Sequence, residues 1–327
     1  GVRYYCMTTD STTSWQWRLL TNLKRLSLSI KGCVSSAKDS FYTNPVLVDN
    51  VVYGYTPDIH DITYPDEFKL VRPGHKPQVQ VYEKCIRISW FITGDVTKDT
   101  GNKSNGKSPQ IVKCANCTRV LYSNETCKFK SLPSPFWSEL VECWSCHRQE
   151  FASIAMEGGC FDQNGVVTLL PKDQFTVLYS NTDLVVRHAN VQGDPNTGLK
   201  CLNCEYTLGT LINPQQVYNI PMTRVTVNNH HMTVNQYLII MMMASMQAHS
   251  CFTFCLKSTN ADHILYCDLI NWTSHVSRVN SSVLEPVLML KRLECITTEC
   301  ETIIIPDEDW THLALIEDDD HLLLFPS

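Results

Sequence analysis

Two short runs of this chain are near copies of one another: Ile111-Val-Lys-Cys114-Ala-Asn-Cys117 and Gly198-Leu-Lys-Cys201-Leu-Asn-Cys204. A Cys-x-x-Cys turn places both thiolates on one side of a tight loop, which supplies half of the tetrahedral four-sulfur shell of a structural zinc site. Cys114 and Cys117 with Cys201 and Cys204 therefore predict one closed site. The stretch between the knuckles becomes an excursion whose ends are tied together by metal. The competing reading treats these residues as ordinary buried apolar side chains, since free cysteine is among the most buried types; the matched flanks of the two pairs favour the metal. A redox dithiol would need a pair at the start of a helix after a buried strand, where a thiol pKa is lowered, and neither pair has that setting.

The chain has 327 residues and a net charge of -6, with no basic run or stripe, so no direct nucleic-acid partner is expected. Sixteen cysteines would imply disulfides in a short secreted chain. This one is long, and its first residues lack the basic start and apolar core of a signal peptide, so a reducing compartment is expected: the cytoplasm, extending to the nucleus. The most apolar run, Tyr237 to Met246, is shorter than the about 20 residues a bilayer span requires, and no membrane association is expected.

The pattern along the chain predicts an α+β protein that is mainly β. A β-rich N-terminal region covers 1–108, with strands expected in Leu19 to Ile30, Val46 to Tyr55 and Val79 to Thr93. A zinc-pinned middle domain covers 109–215, with strands expected from Val166 to Leu170, Phe175 to Tyr179 and Asp183 to Arg187. Leu208-Gly209 reads there as a sharp turn after the metal. An α+β C-terminal region covers 216–327. In it Thr233 caps a helix running to Ala248, Gln236 completes a capping box, and all-round apolarity predicts central burial. Strands are expected at Phe252 to Lys257, His263 to Asn271 and Pro286 to Leu293, and a short helix from Asp307 to Leu315 behind Pro306. The acidic run Glu317 to Asp320 reads as a solvated turn.

Between the knuckles, Ser134-Pro135 is an N-cap and first-turn pair, and Trp137, Leu140, Val141 and Trp144 fall at i, i+3, i+4 and i+7. These predict one apolar face of a short helix with Cys146 and His147 at or just past its end. Three roles suit that Cys-His pair. It could form a thioester, since a cysteine beside a base is an activated nucleophile; it could be offered to the metal ions of a partner; or it could complete a zinc site within this chain with Cys143 or Cys160.

The paired knuckles, the second written Cys-x-x-Cys-x-x-x-Leu-Gly, together with the Pro-Ser-x-x-Trp-Ser-Glu-Leu-Val and Trp-x-Cys-His runs, resemble the HECT-like ubiquitin ligase family, also described as ubiquitin-conjugating-enzyme-binding proteins. The knuckle spacing also resembles zinc-anchored β-tent domains of the cereblon and Yippee type, which implies two β-sheets pinned by a four-cysteine zinc. The family resemblance implies two activities. One is ubiquitin transfer from a charged conjugating enzyme through a cysteine thioester, for which Cys146 is the candidate and no catalytic cysteine is otherwise assigned. The late cysteines Cys295 and Cys300 do not match the catalytic motif of a two-lobed HECT domain. The other is holding and stabilising the metallo-β-lactamase-type endonuclease that cuts pre-mRNA before polyadenylation. There Trp137, Leu140, Trp144, Cys146 and His147 meet the partner, and the Cys-His segment points toward its active-site metals. The second activity, a binding and assembly factor, is the expectation carried forward.

Overall fold

A computed structural model describes residues 14–31, 46–48, 51–53, 64–72, 77–82, 85–93, 108–132, 136, 160–161, 167–168, 170–171, 173–187, 191–194, 198–213, 217–295, 299–318 and 321–326. Strands dominate these residues, and the helices are few, as the alternating patterns predict. The chain divides into two compact units, one drawn from residues 1–103, 269–291 and 315–325, the other from 104–268, 292–314 and 326–327.

In the first unit, Ser14–Leu20 and Arg25–Lys31 form an antiparallel hairpin through the short turn Thr21–Leu23. Period-two alternation puts Trp15, Trp17 and Leu19 on the buried face. Register then aligns Leu19 with Leu26 and Trp90, and Trp17 with Leu28 and Ile88, across three strands. Trp17, Trp90, Tyr64 and Phe68 pack ring against ring, with centroids 4.5 to 6.0 Å apart. The expected strand Val79 to Thr93 is two, Gln78–Val81 and Cys85–Phe91, paired antiparallel. Of the acidic run, Asp319 and Asp320 lie outside the described residues, and the first two residues are strand, not turn. Glu317 is exposed, but Asp318 is buried in the strand Leu315–Asp318, where Arg18 binds it and Lys31 Nζ lies 3.3 Å away. A carboxylate can be buried there because two cations replace the water it loses.

The second unit contains the knuckles, one on each of two sheets. The larger sheet runs Val191–Asp194, Gly198–Cys201, Thr207–Asn213, Val217–Pro221, Asp183–Arg187, Thr176–Tyr179 and Lys128–Ser131. The smaller runs His230–His231, Val225–Val227, Ile111–Cys114 and Val120–Ser123. Their inward faces share one core, with Val112, Leu121 and Tyr122 from the smaller sheet against Leu184, Leu199, Leu208, Tyr218 and Ile220 from the larger. The Thr233 capping box forms as expected and starts the helix Val234–His249. The helix is not buried all round. Val234, Asn235, Leu238, Met242 and Ser245 make one buried stripe, while Ile239, Met241 and Met246 are half-buried. Parallel pairing of Thr253–Ser258 with Glu301–Ile305, and antiparallel pairing with the first residues of Ile264–Ser277, add a further β-layer.

Leu208-Gly209 is not a turn but the middle of the strand Thr207–Asn213. Its glycine answers a close backbone approach: a Cβ on Gly209 would lie 2.0 Å from the Asn219 carbonyl oxygen. Gly198, at φ +84°, would bring a Cβ within 2.5 Å of the Gly209 carbonyl. Backbone cannot yield as a side-chain tip can, so Gly209→Ala is expected to exceed ordinary overpacking and destabilise the unit by about 3 kcal/mol or more. A thermal melt followed by circular dichroism checks this; an unchanged midpoint would contradict it.

Candidate metal centre

The two knuckles fold identically. Each begins on a strand, Ile111–Cys114 or Gly198–Cys201, and closes when the amide of the first cysteine donates to the carbonyl five residues on: Cys114 to Arg119 at 2.9 Å, Cys201 to Tyr206 at 3.0 Å. A second bond runs back to the first cysteine's carbonyl, from Thr118 at 3.0 Å and from Glu205 at 2.9 Å. Both donors adopt left-handed backbone, φ 59° and 57°, which turns the chain so that its two sulfurs face the same way.

The four sulfurs then meet. Cys114 Sγ lies 3.8 Å from Cys204 Sγ, Cys117 Sγ lies 3.6 Å from Cys201 Sγ, and all four are within 4.8 Å of one another. A metal held tetrahedrally at about 2.3 Å from each thiolate requires sulfurs about 3.8 Å apart, which this set provides. Disulfides, at about 2.05 Å, are excluded by the same distances, and the cysteines are free. The group can hold a metal ion. Cys114 and Cys201 are buried and Cys117 and Cys204 half-exposed, so each knuckle gives one inner and one outer sulfur.

Their protonation differs with their surroundings. Burial pushes the Cys114 thiol up to about 12. Cys117 is lowered to about 6, first by the Arg119 backbone amide and then by the Asn203 side chain, both of which favour thiolate.

Of the other expected site residues, Trp137, Leu140, Trp144, Cys146 and His147 lie outside the described residues, as do Val141 and Cys143. Cys160 begins the two-residue strand Cys160–Phe161, paired with Val167–Thr168. Phe136, in the same run as Trp137, packs its ring 4.7 Å from that of His249, whose Nδ1 is 3.4 Å from Glu301. Phe136 thereby rests on the close of the helix Val234–His249.

Residues 20–301 match the family described as HECT-like ubiquitin-conjugating enzyme (E2)-binding. The chain belongs to this family. It is similar to an uncharacterized protein of Schizosaccharomyces pombe, 29% identical over 132 residues, or 39% of this chain and 35% of that one. It is also similar to an uncharacterized protein of Saccharomyces cerevisiae, 23% identical over 209 residues, or 60% of this chain and 53% of that one. The chain thus spans between about a third and about a half of the length of these curated relatives. No solved structure matches it.

For a HECT-like protein the remaining thiols bear on catalysis. Cys85, Cys127, Cys255 and Cys267 are buried, and burial pushes Cys267 up to about 12. Cys300 is raised as well, by desolvation and by the nearby Cys255 and Cys251. At Cys267 and Cys300 the surroundings favour the thiol, not the thiolate that thioester formation needs. Cys295 is exposed. The two residues that sequence reading missed at the metal centre are Tyr206 and Arg224, which touch the knuckles without being ligands; a lone tyrosine and arginine carry no spacing signal.

Metal binding at this centre should depend on pH in two regimes. Above about pH 6 Cys117 is already ionised while Cys114 must lose its proton to ligate, so affinity rises with pH. Below that point Cys117 must be deprotonated too, and the dependence steepens by about tenfold per pH unit for the extra proton displaced. Competition with a chromophoric chelator between pH 5 and 8 checks the break; affinity independent of pH would contradict it.

Proposed function

We propose that this protein is a binding and assembly factor whose middle region is held by a structural Zn2+ on Cys114, Cys117, Cys201 and Cys204. The observation that carries the reading is the meeting of four sulfurs from opposite ends of one long excursion of chain, at the spacing a tetrahedral thiolate site needs. Soft thiolates in that geometry select zinc over the hard cations. Four protein ligands leave no open position for water or substrate, which makes the metal structural. Thiolates must stay reduced to bind it, which suits the cytoplasm or nucleus.

The family description supports a ubiquitin-conjugating enzyme as a partner. The client we assign is the metallo-β-lactamase-type pre-mRNA 3′-end endonuclease. Support comes from the Trp-x-Cys-His run, whose spacing predicts an apolar helix face of Trp137, Leu140 and Trp144 ahead of Cys146 and His147, a sulfur and an imidazole suited to the nuclease metals. The second reading is a ligase that accepts ubiquitin as a cysteine thioester, favoured by the same pair, since His147 stands beside Cys146 as a base.

Three measurements separate these readings. Native mass spectrometry should find one zinc, lost in Cys201→Ser and kept in Cys146→Ser. Changing Cys146 and His147 together to Ala should weaken co-purification of the endonuclease by about tenfold or more, with zinc retained; unchanged recovery would discard the assigned client. A reducible ubiquitin adduct formed with a charged conjugating enzyme and abolished by Cys146→Ser would instead establish the ligase.

A further inference from the structure

The two knuckles stand far apart in the chain, yet one residue that ligates nothing touches both. The carbonyl of Arg224 accepts from the Ala115 amide at 3.2 Å, inside the first turn, and the next residue, Val225, is the strand partner of Cys114. The Arg224 guanidinium reaches the second knuckle: Nη1 donates to Tyr206 Oη at 2.8 Å, and the group lies over the Tyr206 ring, 5.2 Å from its centroid. Tyr206 is the residue whose carbonyl closes the second turn on the Cys201 amide. Main chain on one side and side chain on the other therefore span the pair of turns.

The strut is itself fixed. Arg224 is 3% exposed, with Glu308 Oε2 at 2.6 Å from Nη1 and Asp309 Oδ1 at 3.3 Å from Nη2; the Thr223 hydroxyl donates to Asp309 at 3.1 Å. A guanidinium held by a carboxylate on each arm has lost its rotational freedom and sits as a rigid fork. Lysine, with a single flexible point charge, could not serve all these partners at once.

We propose that Arg224 is the positioning residue of the metal centre: it holds the two knuckles in register, so that the four sulfurs stand at ligand spacing and a bound ion is released slowly. Groups behind the ligands orient them and set how firmly the metal is kept, and Arg224 does this from both turns at once. Glu308 and Asp309, on the short helix Asp307–Trp310, extend the linkage to a part of the chain that supplies no ligand. The inference rests on the zinc reading above.

The test is the rate at which the purified full chain, loaded with zinc, surrenders the ion to an excess of chromophoric chelator. Tyr206→Phe deletes only the hydroxyl and leaves the ring, and Arg224→Lys keeps the charge but not the fork. The control is Asn235→Ala, which removes the paired bonds between Asn235 and Ala314 without touching either knuckle. Release should quicken about fivefold in Tyr206→Phe and about tenfold in Arg224→Lys, with faster hydrogen exchange of the Ala115 amide in Arg224→Lys. Asn235→Ala should lower the melting temperature without changing release. Zinc held by every variant and released at the wild-type rate would overturn the inference alone, as would a control that accelerates release to the same extent for the same loss of melting temperature. A wild-type chain that binds no zinc would overturn the zinc reading, and this inference with it.

Discussion

Sulfur atoms from two turns, one at each end of a long excursion, converge within 4.8 Å, and the architecture of the second unit follows from that meeting. Each turn grows from a strand of a different sheet, so bringing the turns together also lays the inner face of the smaller sheet on that of the larger. The cost of closing a loop rises only slowly with its length. A long insertion between the knuckles is therefore tolerated, provided that its ends are fixed. Here they are fixed twice, by the sulfurs and by the pairing of Cys114 with Val225 and of Leu199 with Gly209.

Among the described thiols outside the metal centre, Cys85, Cys127, Cys255 and Cys267 are buried, and burial pushes Cys267 toward its neutral form. Phe136, next to Trp137 in sequence, sets its ring against that of His249 at the helix end. The family to which the chain belongs is described as HECT-like and ubiquitin-conjugating-enzyme-binding.

What could be read from residues alone was whatever is encoded locally. The duplicate knuckles and the Thr233–Gln236 capping box each state their structure within a few residues, whereas the strand expected over Leu19 to Ile30 is the end of one strand and most of the next, split by the turn Thr21–Leu23. What could not be read depends on a neighbour distant in the chain. Asp318 looks solvated until Arg18 and Lys31 arrive from the first strands. Gly209 looks like a turn until the Asn219 carbonyl is seen to press on it. The helix Val234–His249 looks apolar on every side, and only packing decides that Leu238 and Met242 face inward while Ile239 does not. Arg224 is the extreme case, a single charged residue whose meaning lies wholly in the two turns and two carboxylates around it.

The division of each knuckle into an inner and an outer cysteine gives the centre a direction of failure. An attacking oxidant or scavenging ligand arrives from solvent and meets Cys117 and Cys204 before it can reach their partners. Cys114 and Cys201 end strands and are shielded by the shared core. Oxidation of the four-sulfur group thus starts at the rim and spares the two recessed thiols, which stay lodged between the sheets. Damage of this kind is repairable so long as the outer pair can be reduced.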